Sequence, residues 1–201
     1  MANFQSFFNL ILQKEGGYQN NVNDTGNYNS EGENIGTNYG ISAPVLEQYL
    51  GFIPTVNHMQ NISLEVVSNI YKNDYWNAIK GDYINDQNVA EIIADHAVNA
   101  GVFSASKITQ QVLNIFFGFS LVVDGVIGNN TLNAINNVNA EQLFNAIKER
   151  RIEYYESLNN PHFIDGWLAR VESFSYPSSS NVFLKGTLVT AFVYIGYKIF
   201  V

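Results

Sequence analysis

The feature that most restricts the fold of this chain is the spacing of its apolar residues, which recur every three or four positions along most segments after Pro44. This spacing places them on one face of an α-helix, whereas a half-buried strand would show alternation. It predicts helices over residues 44–50, 63–79, 87–100, 105–117, 140–158 and 163–173. Gly51 and Gly101 follow two of these segments and are typical helix ends. The fold class predicted from the sequence is therefore mainly α.

A further amphipathic helix is predicted over residues 3–15, and its apolar side chains are Phe4, Phe7, Phe8, Ile11 and Leu12. The same spacing places Glu15 on the apolar face, directly before Gly16-Gly17. Burial disfavours the charged form of a carboxyl group and raises its pKa, which allows a Glu to act as a general acid near neutral pH. A Glu before two glycines can also simply mark a helix end.

The segment from Tyr18 to Gly40 is rich in Asn, Gly, Asp and Ser, which predicts turns and short strands. Asp24 lies in this polar segment. Glycoside hydrolysis uses one protonated carboxylic acid and one ionised carboxylate, which need different surroundings. Glu15 is predicted to lie in an apolar environment and Asp24 in a polar one, as the two roles require.

Composition excludes several other classes of function. The chain has 10 Lys+Arg and 18 Asp+Glu, a formal net charge of -8, which argues against a nucleic-acid partner. The nearest approach to a basic cluster, Lys148, Arg150 and Arg151, is interrupted by Glu149 and is interpreted as a solvated helix face.

The residue types that usually bind metals are also scarce. The chain has no Cys, and its His residues, His58, His96 and His162, do not have metal-ligand spacing. His96 falls on the apolar side of its segment and is predicted to be a core residue. We expect neither a metal nor a cofactor.

Several ordered motifs give the chain a specific resemblance. The stretches KEGGY (14–18), GTNYGIS (36–42), IYKNDYW (70–76), ADHAVNAG (94–101) and DGVIGNNT (124–131) resemble the glycoside hydrolase 108 lysozymes. RRIEYYESL (150–158) and FIDGWLARV (163–171) resemble the peptidoglycan-binding region that follows in that family. The resemblance covers about residues 3–176. It implies a lysozyme-like helical domain whose active site lies in a small β-hairpin or loop region, and cleavage of the β-1,4 bond between N-acetylmuramic acid and N-acetylglucosamine.

The resemblance also implies roles for particular residues. The Glu of the EGG(Y) motif is the catalytic acid in the family, and Glu15 has that position here. Phage-type lysozymes of similar fold suggest Asp24 as the second carboxylate, which activates water or stabilises an oxocarbenium-like state, and Thr37 as a third catalytic residue. Because the loop is longer here, Glu31 and Glu33 remain alternatives for the second carboxylate, although both are expected to be solvated loop charges.

Glycan contacts are expected from aromatic and amide side chains, with Tyr18, Tyr39, Trp76 and Asn99 as candidates. Trp76 has the alternative of filling the core. Two alternatives to a muramidase also stay open: a non-catalytic peptidoglycan-binding module, and a lytic transglycosylase that uses Glu15 without water.

The motif at 124–131 allows a wall-binding turn or a purely structural role, and the sequence favours the second. Asp124-Gly125 is typical of a turn, Gly128 is expected at a strained backbone position, and Asn130 or Thr131 is expected to cap the next helix.

The predicted organisation is a catalytic region over 1–102, a peptidoglycan-binding region over 103–176 packed on it, a linker over 177–181 and an apolar tail over 182–201. The tail is long enough for a membrane anchor but also suits a helix or strand packed on the enzyme. The N-terminus does not resemble a secretory signal peptide. We expect synthesis in a bacterial cytoplasm and action on peptidoglycan at the cell wall, as in a phage or prophage setting where the membrane is permeabilised separately.

Overall fold

The computed structural model describes residues 1–177. The predicted apolar tail at 182–201 and nearly all of the linker lie outside the described residues, so both interpretations of the tail stay predictions. Within residues 1–177, no helix combines the length and the apolar character needed to cross a membrane.

The described part is mainly α-helical, as the apolar spacing predicts. Its α-helices are α1 (Phe4–Lys14), α2 (Ala43–Leu50), α3 (Val56–Gln60), α4 (Leu64–Ile70), α5 (Gln87–Ala100), α6 (Val102–Phe117), α7 (Asn129–Asn136), α8 (Ala140–Ser157) and α9 (Ile164–Glu172). Between α1 and α2 the chain forms a short 3₁₀ turn, Thr25–Asn27, and isolated antiparallel bridges rather than extended strands.

Two details of the helix prediction are wrong. The segment 63–79 is not one α-helix, because α4 passes into a π-helix over Tyr71–Trp76. The short helix α3 was not predicted at all. Residue spacing identifies the buried face of a segment but does not distinguish an i−4 from an i−5 hydrogen-bond pattern, such as the bond from Asn77 N to Lys72 O at 2.8 Å.

The turn before α7 also differs from its prediction. Gly128 has an ordinary φ of -78° and itself precedes the first helical residue, so neither Asn130 nor Thr131 is the N-cap. The strained position is Gly125, with φ of 74°. Gln110 of α6 holds this turn, since its side chain donates to Asp124 Oδ1 at 2.8 Å and accepts from Gly125 N at 2.9 Å. The stretch therefore has a structural explanation.

The central helix of the core is α5, which packs against α6 and α8. His96 of α5 is buried, and its Nδ1 lies 3.1 Å from the Tyr155 hydroxyl of α8. Burial lowers the pKa of His96 to about 3, so the ring is neutral at physiological pH. The prediction of a core histidine is confirmed.

Trp76 also belongs to the core. It is fully buried, its ring stacks on Phe7 of α1 with centroids 5.3 Å apart, and its Nε1 donates to Asp82 Oδ1 at 2.7 Å. A ring with no exposed surface cannot stack on a sugar from outside. Trp76 therefore fills the core, and its expected role in glycan contact is wrong for the structure described here.

Candidate active site

Glu15 lies where α1 ends. Its backbone leaves the helical conformation, with φ of -86° and ψ of 138°, while its N–H still donates to Ile11 O at 2.9 Å. The helix thus holds the backbone of Glu15 in place, while 17% of the Glu15 side chain remains exposed. A carboxyl group held in this way is oriented but still reachable from solvent.

A tight turn over Tyr39-Gly40 covers one side of the Glu15 carboxyl. Both residues have positive φ, 50° and 72°, and the flanking Asn38 and Ile41 exchange backbone hydrogen bonds of 3.2 and 2.9 Å. A Cβ at position 40 would lie 2.7 Å from Glu15 Oε2. Glycine is therefore required at this position both by the backbone conformation and by the carboxyl group beneath it.

Tyr71 holds this turn from below. Its hydroxyl donates to Tyr39 O at 2.9 Å, and the ring is buried. Burial, and secondarily the charge of Glu15, raises the pKa of Tyr71 well above its usual range. The phenol therefore stays protonated and keeps its hydrogen bond to the turn.

The other side of the Glu15 carboxyl is an ion pair. Arg170 of α9 donates from Nη1 to Glu15 Oε1 at 2.9 Å. The place of Glu15 on the apolar face of α1 did not predict this charged partner. The amphipathic spacing placed Glu15 correctly at the helix end but contained no information about α9, which begins almost 150 positions later in the chain.

Arg170 also binds a buried carboxylate. Asp95 of α5 is fully buried and accepts from Arg170 Nε at 3.0 Å and from Arg151 Nη2 at 2.7 Å. Burial alone would raise the pKa of Asp95, but the two guanidinium groups outweigh it and lower that pKa below its usual range. Asp95 is therefore ionised in the folded protein.

Arg151 contradicts the prediction of a solvated basic face. It is fully buried, and its Nη1 donates to Ile92 O at 3.1 Å, whereas the side chain of Arg150 beside it is 38% exposed. The reason is visible in the sequence, because Arg151 lies four positions after Ile147 and four before Tyr155 on the buried face of α8.

Lys14 completes the charged group. Its Nζ donates to Ser173 Oγ at 2.9 Å, lies 3.9 Å from Asp95 Oδ1 and lies 3.6 Å from the centre of the Phe174 ring. Burial lowers the pKa of Lys14 to about 8, even though Asp95 acts in the opposite direction. Lys14 therefore loses its charge near pH 8, below the usual range for a Lys side chain.

This shift predicts a pH dependence of stability. The usual pKa of Lys is 10.5 and that of folded Lys14 is about 8, so between these values the unfolded chain holds a proton that the folded chain lacks. Stability from Lys14 must then rise with pH across this interval. We expect the difference in free energy of unfolding, wild type minus Lys14→Met, to increase between pH 8 and 10 in urea titrations. A difference that stays constant or decreases would contradict the assignment.

The second predicted carboxylate lies in the loop between α1 and α2. Asp24 is exposed, and each of its oxygens accepts one hydrogen bond: Oδ1 from Gly26 N and Oδ2 from Gln19 Nε2, both at 2.9 Å. The side chain thus has a fixed orientation while remaining open to solvent. This arrangement suits a group that stays an acceptor during a reaction.

Asn27 organises this loop and was not predicted from the sequence. It is fully buried, and its amide exchanges hydrogen bonds of 3.0 and 3.1 Å with the amide of Gln19. The Thr37 hydroxyl donates to Asn27 Oδ1 at 2.6 Å. Asp24 and Thr37, which the sequence predicted as catalytic, are thus joined through Gln19 and Asn27. One Asn among many in a polar loop carries no local signal for such a role.

The other candidate residues have less defined positions. Glu31 and Glu33 are exposed, as expected of solvated loop charges. Tyr18, Tyr39 and Asn99 are partly buried, so each retains surface for a ligand. Their roles in glycan contact stay predictions.

Comparison with known proteins identifies two regions of the chain. Residues 8–101 match the family described as glycosyl hydrolase 108. These residues are a glycosyl hydrolase 108 domain. Residues 104–172 match a predicted peptidoglycan domain. The structure of Brucella abortus SagA is similar, with 27% sequence identity and a TM-score of 0.71, over 85% of this chain and 90% of that chain. No curated protein matches this chain.

The two matched regions divide the charged residues between them. The glycosyl hydrolase 108 domain contains Glu15, Asp24, Thr37 and Asp95, whereas Arg170 belongs to the predicted peptidoglycan domain. The family assignment is that of a glycoside hydrolase acting on peptidoglycan. The ion pair between Arg170 and Glu15 therefore joins the two regions directly at the candidate catalytic residue.

Proposed function

We propose that this protein is a muramidase that hydrolyses the β-1,4 bond between N-acetylmuramic acid and N-acetylglucosamine in peptidoglycan. The observation that carries the proposal is the setting of Glu15 within a glycosyl hydrolase 108 domain. Its Oε1 is bound by Arg170, while its Oε2 lies beside the Gly40 turn. One oxygen is thus fixed and the other remains to carry a proton.

In this proposal Glu15 protonates the glycosidic oxygen as the bond to the leaving sugar breaks. Asp24, held by Gly26 and Gln19, activates the attacking water or stabilises the oxocarbenium-like sugar. Thr37 stabilises the loop by donating to Asn27, and it belongs to the same hydrogen-bond network as Asp24. Water supplies the hydroxyl of the new reducing end, and no metal or cofactor takes part.

The products of digestion test this proposal directly. Purified peptidoglycan is incubated with the protein and the released muropeptides are analysed by mass spectrometry. Reducing N-acetylmuramic acid ends are expected. Products with 1,6-anhydro ends would identify a lytic transglycosylase, and a protein that binds the wall without releasing fragments would be a binding module; either result overturns the proposal.

Asp24→Asn is expected to lose about 10²-fold or more in turnover of purified cell walls, because the amide keeps the shape of the side chain but not the charge. Thermal melting should show that the variant stays folded. Glu33→Gln is the matched control, since Glu33 is exposed in the same loop. Equal losses in both variants would show that Asp24 is not the second carboxylate.

A further inference from the structure

Arg170 of α9 connects the C-terminal helices, α8 and α9, to the proposed acid Glu15. Its side chain is 17% exposed, as is that of Glu15, and the two meet at 2.9 Å. The pKa of Arg170 is raised above its usual range, because Asp95 and then Glu15 outweigh the effect of burial. The guanidinium is therefore charged at neutral pH.

The geometry of this contact is fixed from both ends. The Nε of Arg170 donates to Asp95 Oδ1 at 3.0 Å, while its Nη1 donates to Glu15 Oε1. Asp95 is itself held by Arg151, which is anchored to the backbone of α5 at Ile92. A planar guanidinium can bind two carboxylates in one rigid orientation, whereas a Lys ammonium at the same place acts as a single point charge.

We propose that Arg170 is a positioning residue for Glu15, so that the C-terminal helices complete the active site in addition to any role in binding the wall. The inference rests on the proposed function, because it takes Glu15 as the general acid. By binding Oε1, Arg170 sets the rotamer of Glu15 and directs the proton to Oε2, beside the Gly40 turn. Arg170 itself does not contact the reacting atoms in this scheme.

The test uses the full chain and soluble, uncrosslinked glycan strands, so that kcat and KM can be separated. Arg170→Gln is expected to lower kcat by about 10-fold or more while KM changes by less than about 3-fold, because orientation of the acid is lost but the binding surface is kept. Arg150→Gln is the matched control. The Arg150 side chain on α8 is 38% exposed and pairs with Glu153, away from Glu15, so the kcat of this variant should match that of the wild type.

A second control separates positioning from loss of stability. Ile147→Ala removes buried core from the same C-terminal helices and has no bond to Glu15. Assays are made well below both melting temperatures. If Arg170 positions Glu15, the loss of kcat should be far larger in Arg170→Gln than in Ile147→Ala. A similar loss in the two variants would show that Arg170 acts only through stability and would overturn the inference.

Arg170→Lys covers the case in which Arg170→Gln does not fold, since it keeps the charge but cannot reach both carboxylates with the same geometry. Arg170→Lys should also have a lower kcat than the wild type, and full retention of kcat would overturn the inference.

Failure of the proposed function is recognised separately. A wild-type protein that releases no reducing ends contradicts the muramidase itself, whereas an active wild type with a normal Arg170→Gln contradicts only the role of Arg170.

Discussion

Glu15→Gln should fold normally and lose nearly all activity on purified peptidoglycan, with a fall in turnover of about 10²-fold or more. The amide is close in shape to the carboxyl and can still accept from Arg170 Nη1, so the contact between the two regions is kept. It cannot give a proton to the glycosidic oxygen. Release of reducing ends from cell walls, measured over time, gives the rate.

Glu31→Gln provides the control for this experiment, because it makes the same chemical change at an exposed loop position. Its turnover should match that of the wild type. If Glu15→Gln kept near wild-type turnover, Glu15 would not be the acid. If instead Glu31→Gln lost as much activity as Glu15→Gln, the substitution would be acting on the loop rather than on proton transfer.

The second large effect is expected on stability. Asp95→Asn leaves the fully buried Arg151 without its carboxylate. Removing one partner of a buried ion pair costs about 3–5 kcal/mol, because the remaining charge is not solvated. The melting temperature should fall by roughly 6–20 °C in a domain of this size, as measured by calorimetry.

The pH dependence of this loss has a definite sign. The pKa of Asp95 is lowered in the folded protein, so its contribution to stability is complete above the pKa of the unfolded chain and is lost as pH falls through the folded value. The difference between wild type and Asp95→Asn should therefore shrink below about pH 4. Asp165→Asn, at an exposed position on α9, is the control and should change stability by no more than about 1 kcal/mol. A loss of that small size in Asp95→Asn would mean that the buried ion pair is not stabilising.

Local rules were sufficient for most of the helices and for the ends of several of them, although they missed α3. Apolar spacing identified the face that α5 buries, and Gly51 and Gly101 end α2 and α5 with positive φ, as expected of glycine at a helix end. These features depend on neighbours within a few positions, and such neighbours are visible in the sequence. The π-helix and the cap of α7 were missed because they depend on hydrogen bonds that the spacing does not specify.

The position of Glu15 at the end of α1 follows from the sequence by itself, because its place on the apolar face and the glycines after it are local. Its surroundings do not. Arg170, which binds Glu15, is 155 positions away along the chain, and Asp95 and Arg151 are 56 positions apart. Only the packing of α1, α5, α8 and α9 decides which charges meet, because the favourable energy of an ion pair depends on distance in space and not on separation in sequence. The sequence thus determined where the candidate acid lies, and the tertiary structure alone decided that its partner comes from the C-terminal helices.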